Sequence, residues 1–229
     1  MFGEPRALPR GPHRLPREQV VASQRNRLLA ATTAIVAEHG YSAATIAEIS
    51  SRAGVSPKTF YEHFADKLDC FLAGYEVLVT TLVARMGASV TSDSSWPQFI
   101  ASSLDAYLAT LEDEPTAARA FVVEIEAAGP RARARRRAAY QQFADLLKGR
   151  HQAMRARDCA LAALPDRVYL AIAHGVRELV RDALEAHAAP PLRAMAPDVL
   201  FWITAAVHGA ALASSELDGE EDGQRTHAA

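Results

Sequence analysis

The amino-acid sequence predicts an all-α protein of about nine helices, with a small N-terminal helical unit followed by a larger helical body. Apolar residues recur at the spacing of an α-helix through most of the chain, which indicates helices that each bury one face. Proline and glycine interrupt this pattern, for example at Gly129-Pro130 and Pro190-Pro191. Since no run of four or more residues alternates between apolar and polar side chains, no β-strand is predicted.

Composition limits the classes of protein that need to be considered. The chain has 229 residues, of which 49% are apolar, enough for one substantial domain or for a small domain attached to a larger one. Its formal net charge of −2 gives no overall indication of nucleic-acid binding, so a DNA contact must come from local charge. The two cysteines, Cys70 and Cys159, are too few for a disulfide framework or a cysteine-based metal site.

Both ends of the chain are strongly charged. Residues 1–17 are predicted to form a flexible basic arm, because four prolines interrupt any regular helix or strand. An arm that contacts DNA phosphates and a disordered leader with incidental arginines both remain open interpretations. Residues 217–229 are predicted to be an acidic, disordered tail. With no signal-peptide core and no apolar run near the roughly 18 residues of a membrane span, we expect a soluble, cytoplasmic protein without a membrane partner.

Residues 18–66 are predicted to form a three-helix DNA-binding domain. The first helix runs from about residue 17 to 39, and Gly40 ends it as a helix C-cap would. Thr45 is a suitable N-cap for a second, short helix. Gly54 then supplies the backbone freedom for a tight turn. The pattern therefore predicts a helix-turn-helix.

The third helix of this domain carries the candidate DNA contacts. Ser56 is its predicted N-cap, and Pro57 occupies the first helical position, where no N–H is needed. Phe60 and Phe64 lie four residues apart and therefore share one buried face. A recognition helix reads base edges with its N-terminal residues and holds phosphates with hydroxyls, N–H groups and lysines. The candidates of these types are Ser56, Pro57, Lys58, Thr59, Tyr61 and His63.

The run from Thr45 to Lys67 resembles the DNA-binding region of the TetR (tetracycline repressor) family. The similar positions are Thr45-Ile46 with Ile49, Ala53-Gly54-Val55-Ser56, Thr59-Phe60-Tyr61-Glu62-His63-Phe64 and Lys67. The sequence departs from the family pattern at Ser50, where alanine is usual, and at Lys58, where glycine is common. We expect Thr45 and Lys67 to hold DNA phosphates from either side, Lys67 in the manner that the resemblance implies. The resemblance also implies a homodimer on a palindromic double-stranded DNA operator, from which a small-molecule effector releases it.

Residues 67–216 are predicted to form a helical ligand-binding and dimerisation domain. Its apolar stripes predict six helices, at about residues 67–89, 95–111, 116–128, 131–157, 165–187 and 197–216. The five arginines within residues 131–137 point all round a helix, which favours a solvated, salt-bridged face over a second nucleic-acid patch. The last two helices are apolar on more than one side. We therefore expect them to form a four-helix bundle with the same helices of a second subunit.

Large aromatic side chains of this domain are predicted to surround one interior, which would suit an apolar or aromatic ligand. They are Tyr75, Trp96, Phe99, Tyr107, Phe121, Tyr140 and Phe143, with His174 and Glu124 as polar candidates. Taken singly, each aromatic side chain also fits ordinary core packing, and that interpretation remains open. A bound ligand is expected to shift the helix of residues 67–89 and thereby the separation of the two recognition helices.

No catalytic residues, metal site or cofactor are predicted. The eight histidines are scattered without an HExxH motif or a paired metal-ligand spacing, and no nucleophile stands with acid–base partners at a known spacing. An enzyme is therefore not expected. Two kinds of regulator remain: a repressor released by a small molecule, and a ligand-independent regulator or activator controlled by a protein partner.

Overall fold

Nine α-helices and no β-strand are present in the computed structural model of the protein, which describes residues 16–88, 94–157, 161–186 and 191–209. The helices are α1 (Arg17–His39), α2 (Ile46–Ala53), α3 (Pro57–His63), α4 (Lys67–Ala88), α5 (Trp96–Asp113), α6 (Pro115–Ala118), α7 (Pro130–Arg155), α8 (Asp166–Glu185) and α9 (Ala196–His208). The predicted all-α class is confirmed. The predicted acidic tail, and all of the predicted basic arm before residue 16, lie outside the described residues.

Side-chain caps and one left-handed glycine set the geometry of α2 and α3. The Thr45 hydroxyl accepts the N–H of Glu48 at 3.2 Å, and the Ser56 hydroxyl accepts the N–H of Thr59 at 3.1 Å. Between the two helices Gly54 has a φ of 63°, a conformation that residues with a Cβ rarely adopt. These three features hold α2 and α3 as the helix-turn-helix that the same residues predict.

One hydrophobic core joins the first three helices to the start of α4. Leu28 of α1, Ile49 of α2, Phe60 of α3 and Phe71 of α4 are all fully buried in it. The ring of Phe71 also lies 5.1 Å from that of Tyr41, in the loop between α1 and α2. Burying side chains of this size contributes about 1.5–3 kcal/mol each. The first three helices and the start of α4 therefore share one core.

The helix α4 is long and apolar enough to cross a membrane, judged by length and composition alone. This corrects the expectation that no apolar run approaches the length of a membrane span. Half of the apolar stretch is buried inside the protein, because α4 packs against α1, α5 and α7. Its large buried side chains are Cys70, Phe71, Leu72, Tyr75, Leu78, Val79, Leu82 and Met86. Such an apolar composition is typical of a core helix that is shared between two parts of a protein.

The sequence predicts one regular helix over residues 116–128, but the structure changes helix type within that range. The short α6 passes into a π-helical turn (Arg119–Val123) and then into a 3-10 turn (Glu124–Ala128). Ala120, Phe121 and Val122 are all buried. In a regular α-helix three consecutive residues spread over roughly 200° of the circumference, too wide for one buried face. We call residues 119–128 the wall segment, because it borders the cavity described below.

The arginines at the start of α7 are paired with acidic side chains of neighbouring segments. Arg135 pairs with Glu76 of α4, and Arg131 lies 3.6 Å from Asp66, just before α4. Arg136 pairs with Glu126 of the wall segment. This arrangement agrees with a salt-bridged face, as interpreted from the sequence.

The helices α8 and α9 expose large apolar side chains. Leu179 of α8 is 46% exposed, and Phe201 and Trp202 of α9 are 77% and 39% exposed. At Gly175 an added Cβ would lie 2.8 Å from the Trp202 ring, so α8 and α9 approach closely there. These exposed side chains lie on the two helices for which subunit contact is predicted. The predicted end of the last helix near residue 216 lies outside the described residues.

Candidate nucleic-acid interface and internal cavity

The N-terminal end of α3 forms an exposed polar surface. Ser56, Pro57 and Lys58 are exposed, Tyr61 is 59% exposed, and Thr59 is half-buried. The opposite side of α3 faces the core, so this surface is directed to solvent. It combines a cation, hydroxyl groups and a helix N-terminus, which are the groups that contact DNA bases and phosphates.

His63, another predicted DNA contact, lies at the end of α3 and is bonded to α1. Its Nε2 atom lies 3.1 Å from the side-chain oxygen of Gln24, and the ring is half-buried. Burial lowers the pKa of His63, which favours the neutral ring at pH 7. In this arrangement His63 supports the packing of α3 on α1. A direct contact with DNA remains a prediction.

Lys67, for which a phosphate contact is expected, closes the loop between α1 and α2. Its Nζ atom donates to the carbonyl oxygens of Tyr41 at 2.8 Å and of Ala44 at 2.7 Å, and it lies 4.4 Å from the Tyr41 ring centroid. Burial lowers the pKa of the Lys67 ammonium. Because an ammonium has three donors, one N–H is left for a phosphate, and that contact stays a prediction.

Thr45 also has a structural role beside its predicted contact with phosphate. Its exposed hydroxyl donates to the Glu48 carboxylate at 3.2 Å while accepting the Glu48 N–H. A phosphate would have to replace the carboxylate as acceptor of the hydroxyl proton. The contact between Thr45 and DNA remains a prediction.

Two arginines that were not predicted as functional residues stabilise the helix-turn-helix. Arg27 of α1 donates to the carbonyl oxygen of Ala53 at 2.7 Å, at the end of α2. Arg52 makes two parallel hydrogen bonds to the Glu38 carboxylate, at 2.5 and 2.6 Å, and lowers the pKa of that carboxyl. The partner of Arg27 is a backbone carbonyl 26 residues away along the chain, a contact for which no sequence pattern exists.

An internal cavity lies in the body, between α4, α5, the wall segment, α7 and α8. Its volume is about 90 Å³. The walls are mostly apolar, and five of the eight side chains predicted for a ligand pocket line it: Tyr75, Tyr107, Phe121, Tyr140 and Phe143. The structure thus brings together aromatic residues from four segments, as expected. Contact of these residues with a ligand remains a prediction.

Three of the predicted pocket residues do not line this cavity. Trp96 and Phe99 pack against each other with ring centroids 5.5 Å apart, and Trp96 also packs on the buried His151. His174 lies behind the cavity wall, where its ring is 4.1 Å from that of Tyr140. The sequence pattern places Phe99 and Tyr107 on one helix but does not specify how far along α5 the cavity extends.

The polar groups at the cavity include two that the sequence analysis did not single out, Ser103 and Arg177. Arg177 is buried and bonds to Glu178 at 2.6 Å, lies 3.3 Å from Glu126, and donates to the Val122 carbonyl. Arginine is seldom fully buried unless it is paired, so this ion cluster accounts for its position. The sequence of α8 gives no signal that this arginine is buried, because its partners Glu126 and Val122 lie on the wall segment.

Glu124 is directed away from the cavity, contrary to its prediction as a polar group of the interior. Its carboxylate accepts the backbone N–H of Tyr41 at 3.2 Å. The wall segment therefore borders the cavity at Phe121 and Val122 and bonds to the helix-turn-helix unit at Glu124. Within the described ranges, no cluster of three or more His, Cys, Asp or Glu side chains is arranged to hold a metal ion.

A capped helix-turn-helix with an exposed polar third helix, joined to an all-α body, defines the class of helix-turn-helix transcriptional regulators. Residues 28–73 match the family model described as bacterial regulatory proteins, tetR family. This match covers the helix-turn-helix unit and the start of α4, in agreement with the resemblance of residues 45–67 to the same family.

A curated relative is the HTH-type transcriptional activator FasR of Mycolicibacterium smegmatis, which is 31% identical over 102 residues. The match covers 44% of this chain, and the chain spans only 45% of that relative. The description of this relative is that of a transcriptional regulator.

Solved structures share the fold over most of the chain. The fatty acid degradation regulator FadR from Bacillus halodurans has a TM-score of 0.71 at 16% identity, covering 79% of this chain and 94% of that one. FadR from Bacillus subtilis, solved in complex with stearoyl-CoA, has a TM-score of 0.70 at 18% identity, covering 77% and 96%. At such identities the similarity establishes the fold alone.

Proposed function

We propose that this protein is a repressor that binds a palindromic DNA operator as a homodimer and leaves it when a small apolar or aromatic effector enters the cavity. The observation that carries the proposal is the position of α4. This helix begins at Lys67, which closes the helix-turn-helix unit, and continues along the cavity wall through Tyr75, Leu78 and Leu82. A ligand beside α4 therefore acts on a helix that also packs against α1 of the helix-turn-helix unit.

The proposed DNA contacts centre on the start of α3. Lys58, Thr59 and Tyr61 extend from the exposed side of the helix, where base edges and phosphates are within reach of an inserted recognition helix. Ser56 and Pro57 bring the helix N-terminus to the same place. The remaining predicted contacts each have an intramolecular partner already: Thr45, His63 and Lys67.

A homodimer through α8 and α9 supports binding to two half-sites. Leu179, Phe201 and Trp202 form exposed apolar surface on these helices, and a two-fold axis there would bury it in both subunits. Two major-groove half-sites on one face of DNA are about 34–36 Å apart. A dimer places two copies of α3 at a defined distance, so a change in that distance weakens both contacts at once.

Contacts of Phe121 support the proposed coupling between the cavity and the DNA-binding unit. Phe121 lines the cavity, its ring lies 5.2 Å from that of Phe71, and it faces Gly74 of α4 so closely that a Cβ there would be 2.8 Å away. Three residues later Glu124 bonds to Tyr41. An effector that displaces Phe121 would therefore move α4 and the wall segment together.

An activator with an acyl effector is the second candidate function. The relative FasR is described as an activator, and one FadR neighbour was solved with stearoyl-CoA. A cavity of this size would have to widen before it accepts a long acyl chain, since pockets for ligands of drug size span about 300–1,000 Å³. A ligand-independent regulator controlled by a protein partner is the remaining alternative. For each of these candidate functions, we propose that the protein binds DNA in the cytoplasm.

Selection of bound sequences from random double-stranded DNA tests the proposed function. The full-length protein should enrich a palindromic sequence, and a mobility shift on that sequence should then be reversed by an apolar or aromatic compound. Enrichment of no sequence would contradict operator binding. An operator complex that persists with every compound that stabilises the protein would instead favour control by a protein partner. Transcription from a promoter carrying the operator distinguishes repression from activation.

A further inference from the structure

We propose that the effector of this cavity is a small apolar molecule with a neutral oxygen that accepts hydrogen bonds, such as a ketone, an ester or a lactone, and that Tyr140 and Ser103 donate to that oxygen. This inference rests on the proposed function, in which the cavity is the effector site. It adds the chemical class of the ligand and the residues that select it.

Two buried hydroxyl groups at the cavity carry the inference. Tyr140 of α7 is 4% exposed and Ser103 of α5 is 2% exposed, and both line the cavity. Within the described part of the chain, neither hydroxyl has a hydrogen-bond partner. An unpartnered buried polar group reduces stability, so most buried polar groups in native proteins are paired. Two such groups on one cavity indicate a ligand that provides the partner.

Both hydroxyl groups can donate a hydrogen bond. Burial raises the pKa of Tyr140, so its O–H stays protonated at neutral pH. The Tyr140 ring is held edge-on against His174, with centroids 4.1 Å apart, which fixes its orientation. Tyr107, one turn after Ser103 on α5, also lines the cavity, and burial raises the pKa of its hydroxyl as well. Apart from the paired Arg177, the polar side chains that line the cavity therefore all carry an O–H group that can donate to an acceptor.

The charges around the cavity favour a neutral acceptor over an anion. Of the described residues that line the cavity, Arg177 alone has a charged side chain. Its guanidinium already bonds to Glu178 at 2.6 Å, lies 3.3 Å from Glu126, and donates to the Val122 carbonyl. A ligand carboxylate would compete with these two carboxylates for one cation. Burying a charge without a free partner is strongly unfavourable.

The rest of the cavity lining is apolar, so the rest of the ligand should be apolar as well. The other lining residues have aliphatic or aromatic side chains, for example Leu78, Leu104, Phe121 and Val176. A cavity volume of about 90 Å³ suits a single ring or a short chain. Polar atoms other than the acceptor oxygen would be buried against this surface without a partner.

Calorimetry with three molecules of nearly equal shape tests the inference on the full-length protein. Acetophenone carries a neutral carbonyl, cumene is its hydrocarbon counterpart, and benzoate is an anion. In a purely apolar cavity cumene would bind more tightly, because the acetophenone carbonyl would lose its hydrogen bonds to water. We expect the reverse order, with acetophenone bound most tightly and benzoate most weakly.

Matched variants separate hydrogen bonding from packing. Tyr140→Phe and Ser103→Ala should each weaken acetophenone binding by about 3- to 10-fold and leave cumene binding unchanged. Both variants should fold, because neither removes an intramolecular hydrogen bond, and thermal unfolding checks this. Tyr169→Phe is the control: its hydroxyl lies 2.7 Å from His151, away from the cavity lining, so acetophenone binding should not change.

Several outcomes would overturn the inference: tighter binding of cumene or benzoate, no binding of acetophenone, or unchanged acetophenone binding in both cavity variants. Tight cumene binding that releases the operator would overturn the ligand class while leaving the proposed function intact. Acetophenone binding with the expected variant effects, but without release of the operator, would support the ligand class and contradict the proposed function.

Discussion

The carboxylate of Glu124 accepts the backbone N–H of Tyr41 at 3.2 Å, so the wall segment is bonded directly to the loop between α1 and α2. The carbonyl of the same Tyr41 accepts a hydrogen bond from Lys67 at the start of α4. The backbone of Tyr41 thus connects the wall segment, the helix-turn-helix unit and α4.

Replacing Glu124 should uncouple effector binding from operator release. Glu124→Ala removes the acceptor for the Tyr41 N–H and should lower the free energy of unfolding by about 0.5–1.5 kcal/mol. The effector should still bind, but more of it should be needed to release the operator. Urea unfolding and a mobility-shift titration measure the two effects. Glu124→Gln keeps an oxygen acceptor and should be milder; an unchanged release curve for Glu124→Ala would contradict the coupling.

Replacing Lys58 should weaken DNA binding through loss of a charge at the exposed start of α3. Lys58→Ala should lower operator affinity and reduce the slope of log affinity against log salt concentration by about one. Lys58→Gly, which restores the residue common in the family, should change affinity or sequence preference. Lys148→Ala removes the same charge from α7, where Lys148 pairs with Asp166, and serves as the control. Equal salt slopes for Lys58→Ala and the unmodified protein would remove Lys58 from the contact surface.

A methyl group at Gly74 should disturb the contact between α4 and the cavity wall. The new Cβ would lie 2.8 Å from the Phe121 ring, so Gly74→Ala should lower the free energy of unfolding by about 1–3 kcal/mol and alter effector affinity. Gly87→Ala is the control on the same helix, because among the described residues no atom beyond its chain neighbours and the backbone of its own helix lies within 4 Å of its Cβ position. That change should raise stability by about 0.4–1 kcal/mol, and denaturant unfolding measures both. Equal stabilisation by the two changes would contradict the close contact at Gly74.

A charge on the exposed face of α9 should prevent dimer formation. Phe201→Glu places a carboxylate where 77% of an aromatic side chain is exposed, and burying that charge between subunits would be unfavourable. Sedimentation should show a monomer, with operator affinity reduced at least tenfold, because each monomer has one half-site contact. Val21→Glu changes another exposed apolar residue, on α1, and should leave the mass unchanged. A Phe201→Glu variant that remains dimeric would place the interface elsewhere.

Acidification below neutral pH should lower stability through the histidines. Burial lowers the pKa values of His63, His151 and His174 below the ordinary value of 6.5. The unfolded chain then binds more protons than the folded protein as the pH falls through 6.5, so the free energy of unfolding decreases there. The loss should level off below the pKa values of the folded state. Thermal unfolding between pH 5 and 8 measures it, and a melting temperature that rises on acidification would contradict this sign.

The residues of the helix-turn-helix could be predicted because the physical signals are local. The caps Thr45 and Ser56, the turn at Gly54 and the shared face of Phe60 and Phe64 all act within a few residues of each other. The positions of these signals in the chain therefore predict both the helices and the exposed start of α3. The same local rules did not predict the change of helix type in the wall segment, because that change follows from burial against other helices.

The sequence by itself determined that the protein is all-α, where the DNA-binding helices begin and end, and which aromatic side chains are available for an interior. Only the tertiary structure decided that Tyr140 and Ser103 border one cavity while Trp96 and Phe99 pack elsewhere. Only the tertiary structure decided that the Glu124 carboxylate accepts the backbone N–H of Tyr41. The reason is that contacts between residues far apart in sequence depend on how whole helices pack, and helical periodicity specifies the buried face of a helix but not its neighbour.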